Sequence, residues 1–183
     1  MNIKKFSKPF KTILIENFLD IKDAMKIFSE LKKEKFELKE SDLFKFKQTK
    51  DLQFSKNKIL RNFYSFLEKD FQKNAETFFG KKLSGKIDFA GTLYEKTDYL
   101  LPHDDRLESR KIAYIYYLSS LGKNDGGELV FYSSKNNIPI KISKRNFPKF
   151  NSIILFEVSK KSFHSVSEIL KNKKRYSITG WLH

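Results

Sequence analysis

Apolar residues change their spacing close to Gly80, and the change divides the chain into two textures. Residues 10–15 form a short apolar run that predicts a strand. Asp20 stands where an N-cap belongs, because its carboxylate can accept from the free N–H groups of a first helical turn. Ile21, Ala24, Met25, Phe28 and Leu31 then recur at helical spacing. Lys32, Lys33 and Lys35 suit the negative end of the helix dipole. Residues 41–54 mix Phe with Lys and Asp without a clear period, which predicts a loop with one strand at most. A second helix is predicted over 58–79. Leu60, Phe63, Tyr64, Leu67, Phe71, Ala75 and Phe78 form its apolar stripe, and Gly80 fits its C-terminal stop.

After Gly80 the chain turns to short β-branched and aromatic runs separated by turn residues. Strands are predicted over 86–95, 99–105, 111–119, 128–132, 139–142, 152–157, 164–166 and 175–182. Asn124-Asp125-Gly126-Gly127 is a turn with glycines available for positive φ. Short strands behind two or more helices predict a mainly β fold, a jelly-roll barrel with the helices buttressing one sheet. With no repeat, linker or low-complexity stretch, residues 1–183 read as one domain. Residues 1–82 supply helical support and a leading strand, and 83–183 the core that carries the site.

Composition narrows the chemistry. The chain has no Cys, which excludes zinc–thiolate, iron–sulfur and redox-thiol sites. The apolar run 10–19 is broken by Lys11, Glu16 and Asn17, and no stretch approaches a membrane span. A soluble, cytoplasmic protein without membrane contact is expected. The net charge of +15 invites a nucleic-acid reading. The basic residues are mostly Lys, however, and Phe, Ile and Asn are also abundant, which suits an AT-rich coding sequence and a solvated Lys surface. RNA or ribosome contact is the less supported reading. Against that background an Arg within Lys173-Lys174-Arg175 hints that guanidinium geometry matters there.

The candidate chemistry begins at His103-Asp104-Asp105. In a strand, residues i and i+2 share a face, so His103 and Asp105 would point inward and Asp104 away. The bland alternative is a surface His in an acidic turn. His164 follows the apolar strand 152–157, and a jelly roll can bring it opposite His103. Two imidazoles and one carboxylate with open positions form the facial triad that suits Fe(II) better than a closed zinc site. In 175–182, Arg175, Ser177, Thr179 and Trp181 share one face, while Tyr176, Ile178 and Leu182 share the other. An inward Arg needs a counter-charge, and its fork fits the carboxylate of a dicarboxylate such as 2-oxoglutarate. The alternative is an exposed edge strand with Arg175 paired to Glu168. The phenols of Tyr94 and Tyr117 are further hydrogen-bonding candidates.

The segments LYEKTDYLLPHDD, IAYIYYL, GGELVFY, PKFNSIILF, FHSV and RYSITGWLH follow one another between residues 91 and 183. Together they resemble the prolyl-hydroxylase-type 2-oxoglutarate/Fe(II) dioxygenases, prolyl 4-hydroxylase-like enzymes, and most nearly the ribosomal-protein prolyl hydroxylase group. The resemblance implies a double-stranded β-helix, with Fe(II) and 2-oxoglutarate as cofactors and O2 as cosubstrate. It implies that His103, Asp105 and His164 ligate iron and that Arg175 salt-bridges the distal carboxylate. Tyr94 and Tyr117 would lie near the cosubstrate together with Ser177, and Trp181 would form a site wall. It further implies hydroxylation of a prolyl residue in a protein or peptide, which could be ribosomal, with release of succinate and CO2. Two rivals remain open. One is a hydroxylase of a small molecule or free amino acid on this scaffold. The other is a catalytically dead RNA- or ribosome-binding barrel.

Overall fold

A computed structural model describes residues 2–107 and 109–183. Two strands open the chain, β1 (Asn2–Phe6) and β2 (Thr12–Glu16), paired antiparallel. Helix α1 (Ile21–Leu31) starts where the sequence places it, with the Asp20 carboxylate accepting from the Lys22 N–H at 2.8 Å. Its buried seam is Ala24, Ile27 and Leu31, with Phe28 half-buried, whereas Ile21 and Met25 are 53% and 60% exposed. The apolar spacing found the helix but overstated the width of its buried stripe.

Residues 41–54 hold the one strand allowed for there, but as half of an unexpected hairpin. β3 (Glu37–Ser41) and β4 (Phe44–Asp51) form a hairpin, followed by one 3-10 turn, Leu52–Phe54. The second helical stretch comprises α2 (Lys58–Phe66), a π-helical turn (Leu67–Phe71) and α3 (Gln72–Phe79), capped by Gly80 at φ 66°. The wider π turn explains why the buried residues fall four apart, at Leu67, Phe71, Ala75 and Phe79. Phe79 therefore takes the buried place expected of Phe78, which is only partly covered.

The remaining strands are β5 (Ala90–Tyr94), β6 (Tyr99–His103), β7 (Ile112–Tyr117), β8 (Leu129–Lys135), β9 (Ile138–Asn146), β10 (Ser152–Glu157), β11 (His164–Val166) and β12 (Arg175–Leu182). Their hydrogen-bonded order is β1-β2-β10-β7-β12-β5-β4-β6-β11-β8-β9, with β3 on β4. Neighbouring strands in this order are antiparallel. β4 is the bridge: Lys47 and Gln48 pair with Leu93 and Thr92 of β5, while Phe44 pairs with Leu100 of β6. The sheet thus passes from a helix-backed layer into a second layer.

Two cores follow from strand parity. Ile112, Tyr114 and Tyr116 of β7, with Ile178 and Leu182 of β12, pack beneath Leu31, Leu60, Phe63 and Leu67 of the helical segments. The opposite faces enclose Ala113, Ile115 and Tyr117 with Phe131 of β8 and Phe156 of β10. That second cluster draws on both layers, so it lies inside the roll. The fold is the expected mainly β jelly roll with helices against one sheet. Among the described residues no helix is long and apolar enough to cross a membrane.

Candidate metal centre

β6 and β11 are neighbours, and their register places His103 directly across from His164. The imidazole centroids are 4.2 Å apart. Asp105 comes between them by another route than the expected strand parity. β6 ends at His103, and Asp105 adopts φ 61°, a left-handed conformation that Asp tolerates better than most residues. This turn sends its carboxylate back toward the imidazoles. Oδ1 lies 3.3 Å from His103 Nε2, and Oδ2 lies 3.2 Å from His164 Nε2. Asp104 turns aside, where its carboxylate accepts from the Arg106 backbone N–H and Nε–H.

The backbone decides which imidazole nitrogen faces the carboxylate. The carbonyls of Leu101 and Ser162 lie 2.9 Å from Nδ1 of His103 and His164, respectively. A carbonyl only accepts, so each Nδ1 carries a proton, and in the neutral ring each Nε2 presents a lone pair. Two lone pairs then face two carboxylate oxygens, an arrangement that needs a cation between them. With no metal between them, a proton on Nε2 takes the place of the cation, and the pKa directions follow. Burial alone would raise Asp105, but His164 and His103 outweigh it and hold the carboxyl well below its usual range. Burial would lower His103, yet the hydrogen bond and charge of Asp105 raise it. Among the described residues, His103, Asp105 and His164 are the group whose ligand atoms approach closely enough, within 4.8 Å, to share one metal ion. Nitrogen and oxygen donors on one side of a pocket suit a divalent first-row metal with open positions.

The pocket beside this group is floored by rows of side chains in register. Gln48 of β4 and Thr92 of β5 line it, and the register carries their row on to Ser177 of β12 and Tyr117 of β7, which sit behind the lining. Tyr94 and Arg175 face each other in the adjoining row. Arg175 belongs to a central strand and is 1% exposed, which rules out the exposed-edge alternative and a Glu168 partner on the surface. Its guanidinium lies 5.0 and 5.1 Å from the ring centres of Tyr94 and Tyr117. Nη1 donates to Ser177 Oγ at 3.2 Å. Nε and Nη2, the two donors along one edge of the fork, have no hydrogen-bond partner among the described residues, and neither does the Tyr117 hydroxyl. Burial raises the pKa of both tyrosines although Arg175 opposes it, so they stay protonated donors. A parallel donor pair with a phenol beside it fits a carboxylate.

The sequence model of the 2OG-Fe(II) oxygenase superfamily matches residues 89–183, just over half of the chain. The chain belongs to the 2OG-Fe(II) oxygenase superfamily. Fe(II) and 2-oxoglutarate, the cofactors of that superfamily, fit the donor set and the free fork described above. The prolyl 3-hydroxylase OGFOD1 of Xenopus laevis is 38% identical over 97% of this chain, which spans 35% of that protein. This chain therefore covers about a third of the length of that relative. Among solved structures, a Pseudomonas putida prolyl-4-hydroxylase aligns with a TM-score of 0.75 at 15% identity, covering 94% of this chain and 91% of the other. A Trichoplax adhaerens prolyl hydroxylase, in complex with a hypoxia inducible factor oxygen degradation domain peptide fragment, gives 0.77 at 17% identity, covering 93% and 82%. At these identities the structures show a shared fold.

In this 2OG-Fe(II) oxygenase, Trp181 lines the pocket, and the Arg110 guanidinium lies 3.6 Å over its ring. Other lining residues were not foreseen. Phe46 and Gln48 of β4 reach the pocket, and Phe46 stacks on Tyr94 at 5.0 Å. On the opposite face of β4, Lys47 pairs with Glu95, which also holds Lys174 beside Arg175. The missed signal was the alternation Phe44-Lys45-Phe46-Lys47, a half-buried strand pattern.

Proposed function

We propose that this chain, acting as one domain over residues 1–183, hydroxylates a prolyl residue of a protein or peptide. Oxygenation would follow the stoichiometry of its superfamily: 2-oxoglutarate, O2 and a C–H bond give succinate, CO2 and an alcohol. C3 is the carbon we favour, because the curated relative is a prolyl 3-hydroxylase. The observation that carries the reading is the buried Nε/Nη2 edge of Arg175, free of protein partners and lining the pocket that holds His103, Asp105 and His164. Bound Fe(II), with 2-oxoglutarate and O2, supplies the oxidising chemistry that attacks an unactivated carbon.

The chain's own residues do the holding and shielding. His103, Asp105 and His164 would ligate the metal, their Nδ1–H bonds to Leu101 and Ser162 fixing both ring orientations. Arg175 would receive the distal carboxylate of 2-oxoglutarate through its free edge, with the Tyr117 hydroxyl as a third donor. Tyr94 and Phe46 would close one side against water, Ser177 would steady the guanidinium, and Trp181 would form a wall beside the substrate. A cytoplasmic setting and a ribosomal protein as substrate complete the proposal, supported by the absence of Cys and by the sequence resemblance.

The test is turnover of peptides and of cell lysate with Fe(II), 2-oxoglutarate and O2. Succinate should form together with one added oxygen on proline, and analysis of the hydrolysed product should give 3-hydroxyproline. Turnover of free amino acids or small metabolites, with peptides inert, would replace this reading with that of a small-molecule hydroxylase.

A further inference from the structure

We propose that Thr92 is a positioning residue for the dicarboxylate. It acts through Ser177 to aim the free edge of Arg175, an inference that rests on the assignment of Arg175 to the distal carboxylate. The contacts form a single line. Thr92 is buried, and its Oγ1 lies 2.8 Å from Ser177 Oγ, while the carbonyl of Ser177 is farther away at 3.5 Å. Ser177 Oγ in turn accepts from Arg175 Nη1 at 3.2 Å. The register of β5 against β12 sets Thr92 opposite Ser177, so the backbone ladder builds the line into the sheet.

Each link transmits direction. The ladder sets Thr92 directly opposite Ser177, so Oγ1 is held by the backbone register and by its bond to Ser177 Oγ rather than by its methyl group. A serine hydroxyl turns freely unless partners fix it. Bonded to Thr92, Ser177 keeps a lone pair toward Nη1. Guanidinium is planar and rigid, so fixing one N–H direction fixes all five. Nε–H and Nη2–H are thereby held in one orientation before any ligand arrives. Tyr94 and Tyr117 flank the guanidinium with their rings, and the Tyr117 hydroxyl, which has no hydrogen-bond partner among the described residues, leaves the Ser177 bond as the one that sets its rotation. Thr92 thus pre-organises a fork it does not touch.

The test is calorimetric titration of 2-oxoglutarate into Mn(II)-loaded protein, which reads binding rather than turnover. Thr92→Val keeps the side-chain shape and removes the oxygen. It should weaken 2-oxoglutarate binding about three- to tenfold, the size of one lost hydrogen bond. Thr92→Ser, which keeps the hydroxyl and gives up the methyl, should bind within about twofold of wild type, well inside that loss. Ser177→Ala should also weaken binding, and adding Thr92→Val to it should change nothing more, because the line is already cut. Wild-type affinity in Thr92→Val, an equal loss in Thr92→Ser, or a full further loss in the double variant would each overturn the inference. Unchanged binding in Arg175→Met would instead remove the assignment on which the inference stands.

Discussion

Arg175→Met separates the two things this arginine does, which are to burden the ligand-free fold and to bind the ligand. Methionine nearly matches the length of the side chain and carries neither charge nor donors. In the wild-type fold the guanidinium is buried, with Ser177 as its hydrogen-bond partner and two phenol rings beside it. Burying a cation costs several kcal/mol, about 5 here. The two ring contacts return about 1 kcal/mol each, and the hydrogen bond about 1.5. The balance, about 1–2 kcal/mol against the fold, is what methionine removes. For a domain of this size that raises Tm by about 2–8 °C in ligand-free buffer.

The ligand reverses the order. Wild-type protein loaded with Mn(II), in 2-oxoglutarate at about 100 times Kd, gains roughly 2.7 kcal/mol of stability. That corresponds to a Tm increase of about 5–11 °C. Losing two charge-assisted hydrogen bonds costs the variant about 3–6 kcal/mol of binding. At the same ligand concentration its gain falls below about 0.4 kcal/mol. Scanning calorimetry with and without 2-oxoglutarate measures both quantities. A variant that melts below wild type without ligand would mean the charge is well compensated in the free protein. A variant that keeps the ligand-induced shift would refute the assignment of Arg175 to the carboxylate.

Asp105→Asn keeps a side chain that tolerates the left-handed conformation at this position but removes the negative charge. Mn(II) affinity, followed by electron paramagnetic resonance, should fall more than about 100-fold, beyond what changing an outer partner of a metal ligand does. Gly180→Ala tests the packing of β12 against the segment ahead of β5. A Cβ on Gly180 would lie 1.7 Å from the Asp88 carbonyl oxygen and 3.0 Å from the Tyr114 hydroxyl. Backbone cannot swing away as a side chain does, so the cost is about 3 kcal/mol or more. A Tm drop of at least about 6 °C is expected, and a wild-type Tm would show that the two segments separate easily.

Much of the site was legible because its signals are local. His103, Asp105, His164 and Arg175 announce themselves by residue type, and strand parity on β12 sorted Arg175, Ser177 and Trp181 from Tyr176, Ile178 and Leu182. Asp105 was placed correctly by the wrong geometry: parity assumed a strand, but a single left-handed residue makes the turn. The hairpin β3–β4 was hidden because its alternation is short and its polar positions are lysines, which are common throughout the chain. β1 carries no amphipathic pattern, since four of its five residues are exposed, and it exists because β2 offers it an edge. The π turn leaves only a subtle trace, a drift from mixed spacing to steps of four.

β12 is synthesised after every other described strand, yet it lies between β5 and β7 in the middle of the sheet. Until it docks, the growing chain holds two long unpaired edges, one of them the apolar run Ile112–Tyr117. Unpaired edges of that kind recruit foreign strands. The same late step delivers Arg175, so the fork and the closed sheet arise together. A chain stalled before residue 175 would be both sticky and unable to use 2-oxoglutarate as a folding ligand. Cofactor supplied during refolding should therefore rescue yield only once this final strand is in place.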